Sequence, residues 1–146
     1  MTDFDPAIRA YYERGTEAAR LKGGFPSGPL ELARTKEIIE RHLADRPMEI
    51  LDVGGGPGVY AAWLADKGHR VSVIEPIARH VEEARAAHPA VRAELGDARS
   101  LADADSSVDV VLLLGPLYHL VEADDRRTAL REAARVLRPS GVLFAA

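Results

Sequence analysis

From residue 49 onward the chain repeats one pattern: a short apolar run, a turn, then a longer stretch with apolar residues on one helical face. Glu49-Ile50-Leu51-Asp52-Val53 predicts a first buried strand, and a glycine-dense turn leads from it into a helix over 59–67 that Gly68 stops. A second strand over 70–74 precedes a helix over 77–88, with Pro89 as its stop. A third strand is expected over 91–95 and a fourth over 108–114, whose unbroken apolar character implies burial on both faces. Between them, residues 96–107 are polar and carry no long helix. A last helix over about 123–137 reaches the turn Pro139-Ser140-Gly141, and a fifth strand begins at Val142. Strand alternating with helix implies an α/β fold: a doubly wound, mostly parallel sheet with right-handed crossovers and helices on both faces.

Two helical stretches lie ahead of this alternation. Asp5-Pro6 pairs a capping acid with proline at the first helical position, and Ile8, Tyr11, Tyr12, Ala18, Ala19 and Leu21 follow before Gly23-Gly24 ends the helix. Residues 25–29 read as a loop. The second helix spans about 30–44, with Leu32, Ile38, Ile39 and Leu43 on its apolar side and Asp45-Arg46-Pro47 as the stop. These elements form a helical cap, 1–46, over the C-terminal edge of the core, 47–146, within one domain.

Composition narrows the classes. A length of 146 residues with 47% hydrophobic residues suits one folded core. The absence of cysteine excludes a disulfide framework and any thiolate metal site. The histidines at 42, 69, 80, 88 and 119 are scattered, so no metal site is expected. No apolar run is long enough to span a bilayer and nothing resembles a signal peptide, so a cytoplasmic protein is the expectation. A net charge of -4 gives no global attraction to nucleic acid.

The candidate chemistry sits at the first strand-to-helix turn. Glycine there accepts backbone angles closed to other residues and lets a ligand touch the main chain. The helix behind presents free N–H groups and a positive dipole end. The dinucleotide spacing Gly-x-Gly-x-x-Gly fails from Gly54, where Val59 stands third, and from Gly56 it requires the variant Ala61. No lysine follows for a P-loop. What stands here is an acid ahead of glycines, Asp52-x-Gly54-x-Gly56-x-Gly58.

That sequence resembles the first motif of class I S-adenosylmethionine-dependent methyltransferases. Residues 130–143, with Arg138-Pro139-Ser140-Gly141, resemble the family's late motif, from which Ser140 departs mildly. The resemblance implies the Rossmann-like methyltransferase fold and S-adenosylmethionine as cofactor. It makes Gly54, Gly55, Gly56 and Gly58 a cofactor-binding turn, which the Asp52 carboxylate organises while facing the cofactor's amino group. Glu75, 17 residues beyond Gly58, would accept from the ribose hydroxyls, with Pro76 on the same wall. Asp97 and Ala98 would meet adenine. Leu114 and Gly115 open the loop bordering the methyl group, where Tyr118 and His119 stand and His119 is the candidate base. That loop lacks the Asn/Asp-Pro-Pro-Tyr sequence of amino-directed DNA methylation. Tyr11, Tyr12, Arg20 and Arg34 are lid candidates, with Arg34 and Tyr11 preferred and an arginine able to pair with a carboxylate.

The expected reaction is methyl transfer to a small-molecule acceptor. A non-catalytic cofactor-binding or interaction module, or an NAD-dependent oxidoreductase domain, are the alternatives. Methyltransferases of this class have seven strands, and this chain stops in the fifth. It is therefore read as a fragment, or as a chain whose exposed fifth strand a partner, such as a second copy, covers.

Overall fold

A computed structural model describes residues 6–14 and 27–146. The elements in chain order are α1 (Pro6–Tyr12), α2 (Gly28–Glu40), β1 (Glu49–Val53), α3 (Val59–Asp66), β2 (Arg70–Glu75), α4 (Ala78–Ala87), β3 (Arg92–Leu95), β4 (Val108–Leu113), α5 (Pro116–His119), α6 (Ala123–Val136) and β5 (Leu137–Ala145). The five strands form one sheet in the order β3-β2-β1-β4-β5, and every neighbouring pair is parallel. This is the expected α/β architecture.

Side chains on a strand alternate between faces, and the core divides accordingly. Ile50, Val71, Val73, Val110 and Leu112 join Ile39 of α2, Leu64 of α3, and Val81 and Ala84 of α4 in one cluster. Leu51, Val53, Val111 and Leu113 join Ala133 and Val136 of α6 in the other. Leu101, from the helix-free stretch after β3, packs with that second cluster. Every residue of β4 is buried, as its unbroken apolar run implies.

The boundaries differ where turns tighten. The first helix stops at Tyr12, because Glu13 N–H still reaches Arg9 O but Arg14 N–H reaches only Tyr11 O, the tighter i−3 pattern. Asp5 and the rest of that expected helix, from Ala18 to Gly24, with Arg20, lie outside the described residues. The second helix ends at Glu40 instead of Ala44 for the same reason: His42 N–H bonds Ile39 O at 2.9 Å. Ile38, expected on its apolar face, is exposed, while Ile39, Leu32 and Leu43 pack on the core.

The fifth strand begins at Leu137, five residues before the expected Val142. Leu137 leaves α6 with extended angles and pairs with Val108, and the ladder resumes at Val142 opposite Val110. Pro139-Ser140-Gly141 is therefore a bulge within the strand rather than the turn before it. Ser140 takes a φ of 67°, and a Cβ on Gly141 would stand 3.0 Å from Asp109 O. Phe144 and Leu143 of this edge strand are only half-buried. No described helix is long and apolar enough to cross a membrane. Among the described residues, no group of three or more His, Asp or Glu side chains is placed to hold a metal ion.

Candidate cofactor and active site

The chain connects β1 to β2 and β3 on one side of the sheet, then returns to place β4 and β5 on the other. Connections that part in this way leave a crevice beyond the carboxyl ends of the two central strands. A cavity of about 400 Å³ lies there.

Most of the expected site residues line it. Asp52, Gly54, Gly55 and Gly56 come from β1 and its turn, and Glu75 and Pro76 from the end of β2. Asp97 and Ala98 come from the stretch after β3, Leu114 and Gly115 from the end of β4, and His119 from α5. The loop expected over 114–120 thus contains one helical turn, started by Pro116.

Three expected residues are placed elsewhere. Gly58 caps α3 with a φ of 79°, and a Cβ there would stand 2.9 Å from Ala84 Cβ, so this glycine serves the close packing of α3 on α4. Arg34 lies on the surface and pairs with Glu37 at 2.5 Å. Tyr11 is half-exposed, and the neighbouring Tyr12 lines the cavity in its place. Successive helical residues point about 100° apart, so only one of two adjacent tyrosines faces a given site.

The glycine turn is shaped against the groups below and beside it. Gly54 has a φ of 70°, and a Cβ on it would lie 2.6 Å from the Pro116 ring. A Cβ on Gly55 would lie 2.6 Å from Asp52 Cγ. The turn's backbone therefore rests directly on the Asp52 carboxyl. Asp52 is 2% exposed, and among the described residues its Oδ2 has no hydrogen-bond partner. Burial, and then the charge of Glu75, push its carboxyl up to about 7.

Glu75 is buried but well supplied with donors. Gly56 N–H donates to Oε2 at 3.0 Å and Ile77 N–H to Oε1 at 3.1 Å. His80 Nδ1 stands 3.2 Å from the same Oε1. Asp97 is held by Arg99, whose backbone N–H and Nε donate to Oδ1 at 2.8 and 2.9 Å. Burial opposes ionisation of Asp97, but these bonds and the guanidinium charge outweigh it and hold the carboxyl below its ordinary value. Arg99 also bonds Asp125 at 2.8 Å, tying this stretch to α6.

At the other side of the cavity, Tyr12 Oη lies 2.6 Å from His119 Nε2. The Tyr118 ring packs against His119 with centroids 4.5 Å apart. Sequence reasoning missed His80, Thr35 and Glu31 on the cavity wall, and Arg99 beside Asp97. The signal available for His80 was a histidine among apolar residues on the buried face of a helix that follows an acid-ended strand.

Three carboxyl groups thus face one cavity from the ends of three adjacent strands. They suit a ligand rich in donors: hydroxyls, an exocyclic amine, an ammonium. A glycine turn after the central strand, with an acid ending the next, defines a nucleoside-binding α/β domain of the doubly wound class.

Comparison with known proteins makes the family definite. The model of the methyltransferase domain family matches residues 50–141, and the chain belongs to that family. It is 35% identical over 129 residues to an uncharacterized methyltransferase of Mycobacterium tuberculosis, covering 88% of this chain and 49% of the relative. It is 30% identical over 135 residues to a ubiquinone biosynthesis O-methyltransferase of Methylocella silvestris, covering 81% of this chain and 52% of that protein. The chain thus spans about half the length of the curated relatives it matches. Among solved structures, a SAM-dependent methyltransferase of Methanosarcina mazei superposes with a TM-score of 0.68 at 28% identity, over 73% of this chain and 54% of that one.

Proposed function

We propose that this chain binds S-adenosylmethionine in the cavity above β1 and β4 and is an S-adenosylmethionine-dependent methyltransferase domain acting on a small-molecule acceptor. The observation that carries the reading is the acid-glycine turn itself. A buried Asp52 oxygen without a partner among the described residues, and the donor-pinned Glu75, face a glycine backbone that tolerates no side chain at positions 54 and 55. These residues fit the cofactor's groups: Asp52 beneath the turn for the ammonium end, Glu75 for the ribose hydroxyls, Asp97 and the Ala98 backbone for adenine.

When bound, the cofactor supplies a methyl group on a sulfonium, already activated for in-line displacement. The protein's contribution is placement. Leu114, Gly115 and Pro116 wall the cavity beside α5, where an acceptor would approach. An attacking hydroxyl must lose its proton as the new O–C bond forms. Tyr12 Oη sits within hydrogen-bond reach of His119 Nε2. An acceptor hydroxyl that takes the phenol's place presents its proton to that nitrogen, which makes His119 the candidate base.

Parallel calorimetric titrations with S-adenosylhomocysteine and NADH test this reading. Saturable binding of the thioether, lost in Glu75→Ala, is the expected result. Binding of NADH alone would overturn it.

A further inference from the structure

Glu75 is held by more than its own loop, and the additional support comes from a histidine that the reading above does not use. His80 lies on the buried face of α4 beside Val81 and Ala84, and its side chain is 2% exposed. A polar ring in that position is unfavourable unless a partner compensates it. Its partner is Glu75: Nδ1 lies 3.2 Å from Oε1. A carboxylate only accepts, so Nδ1 carries the proton. Among the described residues, Nε2 is then left buried without a partner. The ring also stands edge-on to Tyr12, with centroids 5.7 Å apart and planes at 79°, so α1 bears on it from the cavity side.

Counting acceptor positions gives the consequence. A carboxylate offers about four lone-pair sites. Oε1 receives two donors, Ile77 N–H and His80 Nδ1–H, and Oε2 receives Gly56 N–H. Three donors from two segments, the glycine turn and the start of α4, therefore fix the carboxylate plane and leave Oε2 the more open oxygen. We infer that His80 is a positioning residue: its Nδ1–H fills Oε1 and holds the Glu75 carboxylate with Oε2 turned to the ribose hydroxyls. This rests on the adenosyl reading of the cavity and adds a selectivity to it. A carboxylate already immobilised loses little freedom on binding. A site built to accept hydroxyl donors discriminates strongly against a ligand lacking them.

The test uses the whole chain and two probes: S-adenosylhomocysteine, and its analogue lacking both ribose hydroxyls. His80→Leu keeps volume and removes the donor. It is expected to weaken the parent thioether about tenfold while leaving the dideoxy analogue within about twofold. His80→Asn, which keeps an N–H near the Nδ1 position, should recover most of the loss. In a Glu75→Gln background, His80→Leu should have no further effect. Unchanged binding of both probes by His80→Leu would overturn the inference. So would equal weakening of both probes, with or without a lowered Tm, because it would assign His80 a packing role only. Failure of the wild type to bind the thioether at all would instead sink the adenosyl reading. In that event NMR of the ligand-free protein still decides: a protonated Nδ1, and a Glu75 carboxyl resonance that moves in His80→Leu, support the contact, and their absence refutes it.

Discussion

Two buried aspartates on neighbouring strands, Asp52 of β1 and Asp109 of β4, stand at opposite ends of the sheet and in opposite electrostatic states. Asp109, near the amino end of β4, accepts Glu49 N–H at 2.9 Å and pairs with Arg46 at 3.1 Å and Arg138 at 3.0 Å. The Arg46 hydrogen bond is the main cause that holds its carboxyl well below the usual range; burial opposes it and the Glu49 and Arg138 bonds add to it. Asp52, near the carboxyl end of β1, has an oxygen with no donor among the described residues, and burial, then the charge of Glu75, push its carboxyl up to about 7. One end of the sheet is satisfied from within. The other keeps acceptor capacity unused, which is where a donor-rich ligand gains most.

The largest effect should come from removing the acid that this end does support. Glu75→Ala leaves Gly56 and Ile77 N–H groups unpaired and is expected to weaken S-adenosylhomocysteine binding by about 100-fold or more. Calorimetry reads it directly. Asp109→Asn should leave that affinity unchanged but destabilise the fold by about 2 kcal/mol at neutral pH, measured by urea unfolding. Because the folded-state value of Asp109 is depressed, its stabilisation is present above the ordinary carboxylate value and disappears as pH falls below it. The gap between wild type and Asp109→Asn should therefore narrow in acid.

Asp52→Asn should do the reverse. A carboxyl raised in the folded state adds stability below its ordinary value near 3.8, and that stability is lost as pH rises through about 7. The asparagine variant should therefore match the wild type near pH 4. At pH 8 it should be the more stable of the two in the ligand-free state, while binding the thioether less tightly. Equal pH profiles for the two proteins would break the comparison. The smallest effect is expected at Arg34, whose surface pairing with Glu37 lies apart from the cavity. Arg34→Ala should leave both affinity and Tm within error.

Much of this contrast was open to reading from residue order. Glycine and proline punctuate each strand and helix, so the alternation and the place of Asp52, Glu75 and Asp97 at strand ends followed from local rules. What escaped depends on contacts between distant segments. Leu137 belongs to β5 because Val108 is there to pair with it, and Pro139-Ser140-Gly141 has the chemistry of a turn whether it precedes a strand or bulges within one. Arg34 attracted attention by charge, but Glu37, three residues on, lies on the same face and takes it. His80 shares the apolar face of its helix with Val81 and Ala84, but only the fold brings its ring to Glu75.

A crystal structure of the protein with S-adenosylhomocysteine tests the central claim most directly. The account predicts adenosyl density over Gly54–Gly56, with the ribose against Glu75 and adenine beside Asp97 and Ala98. Well-ordered density for the ligand at any other surface, with this cavity empty, would contradict it.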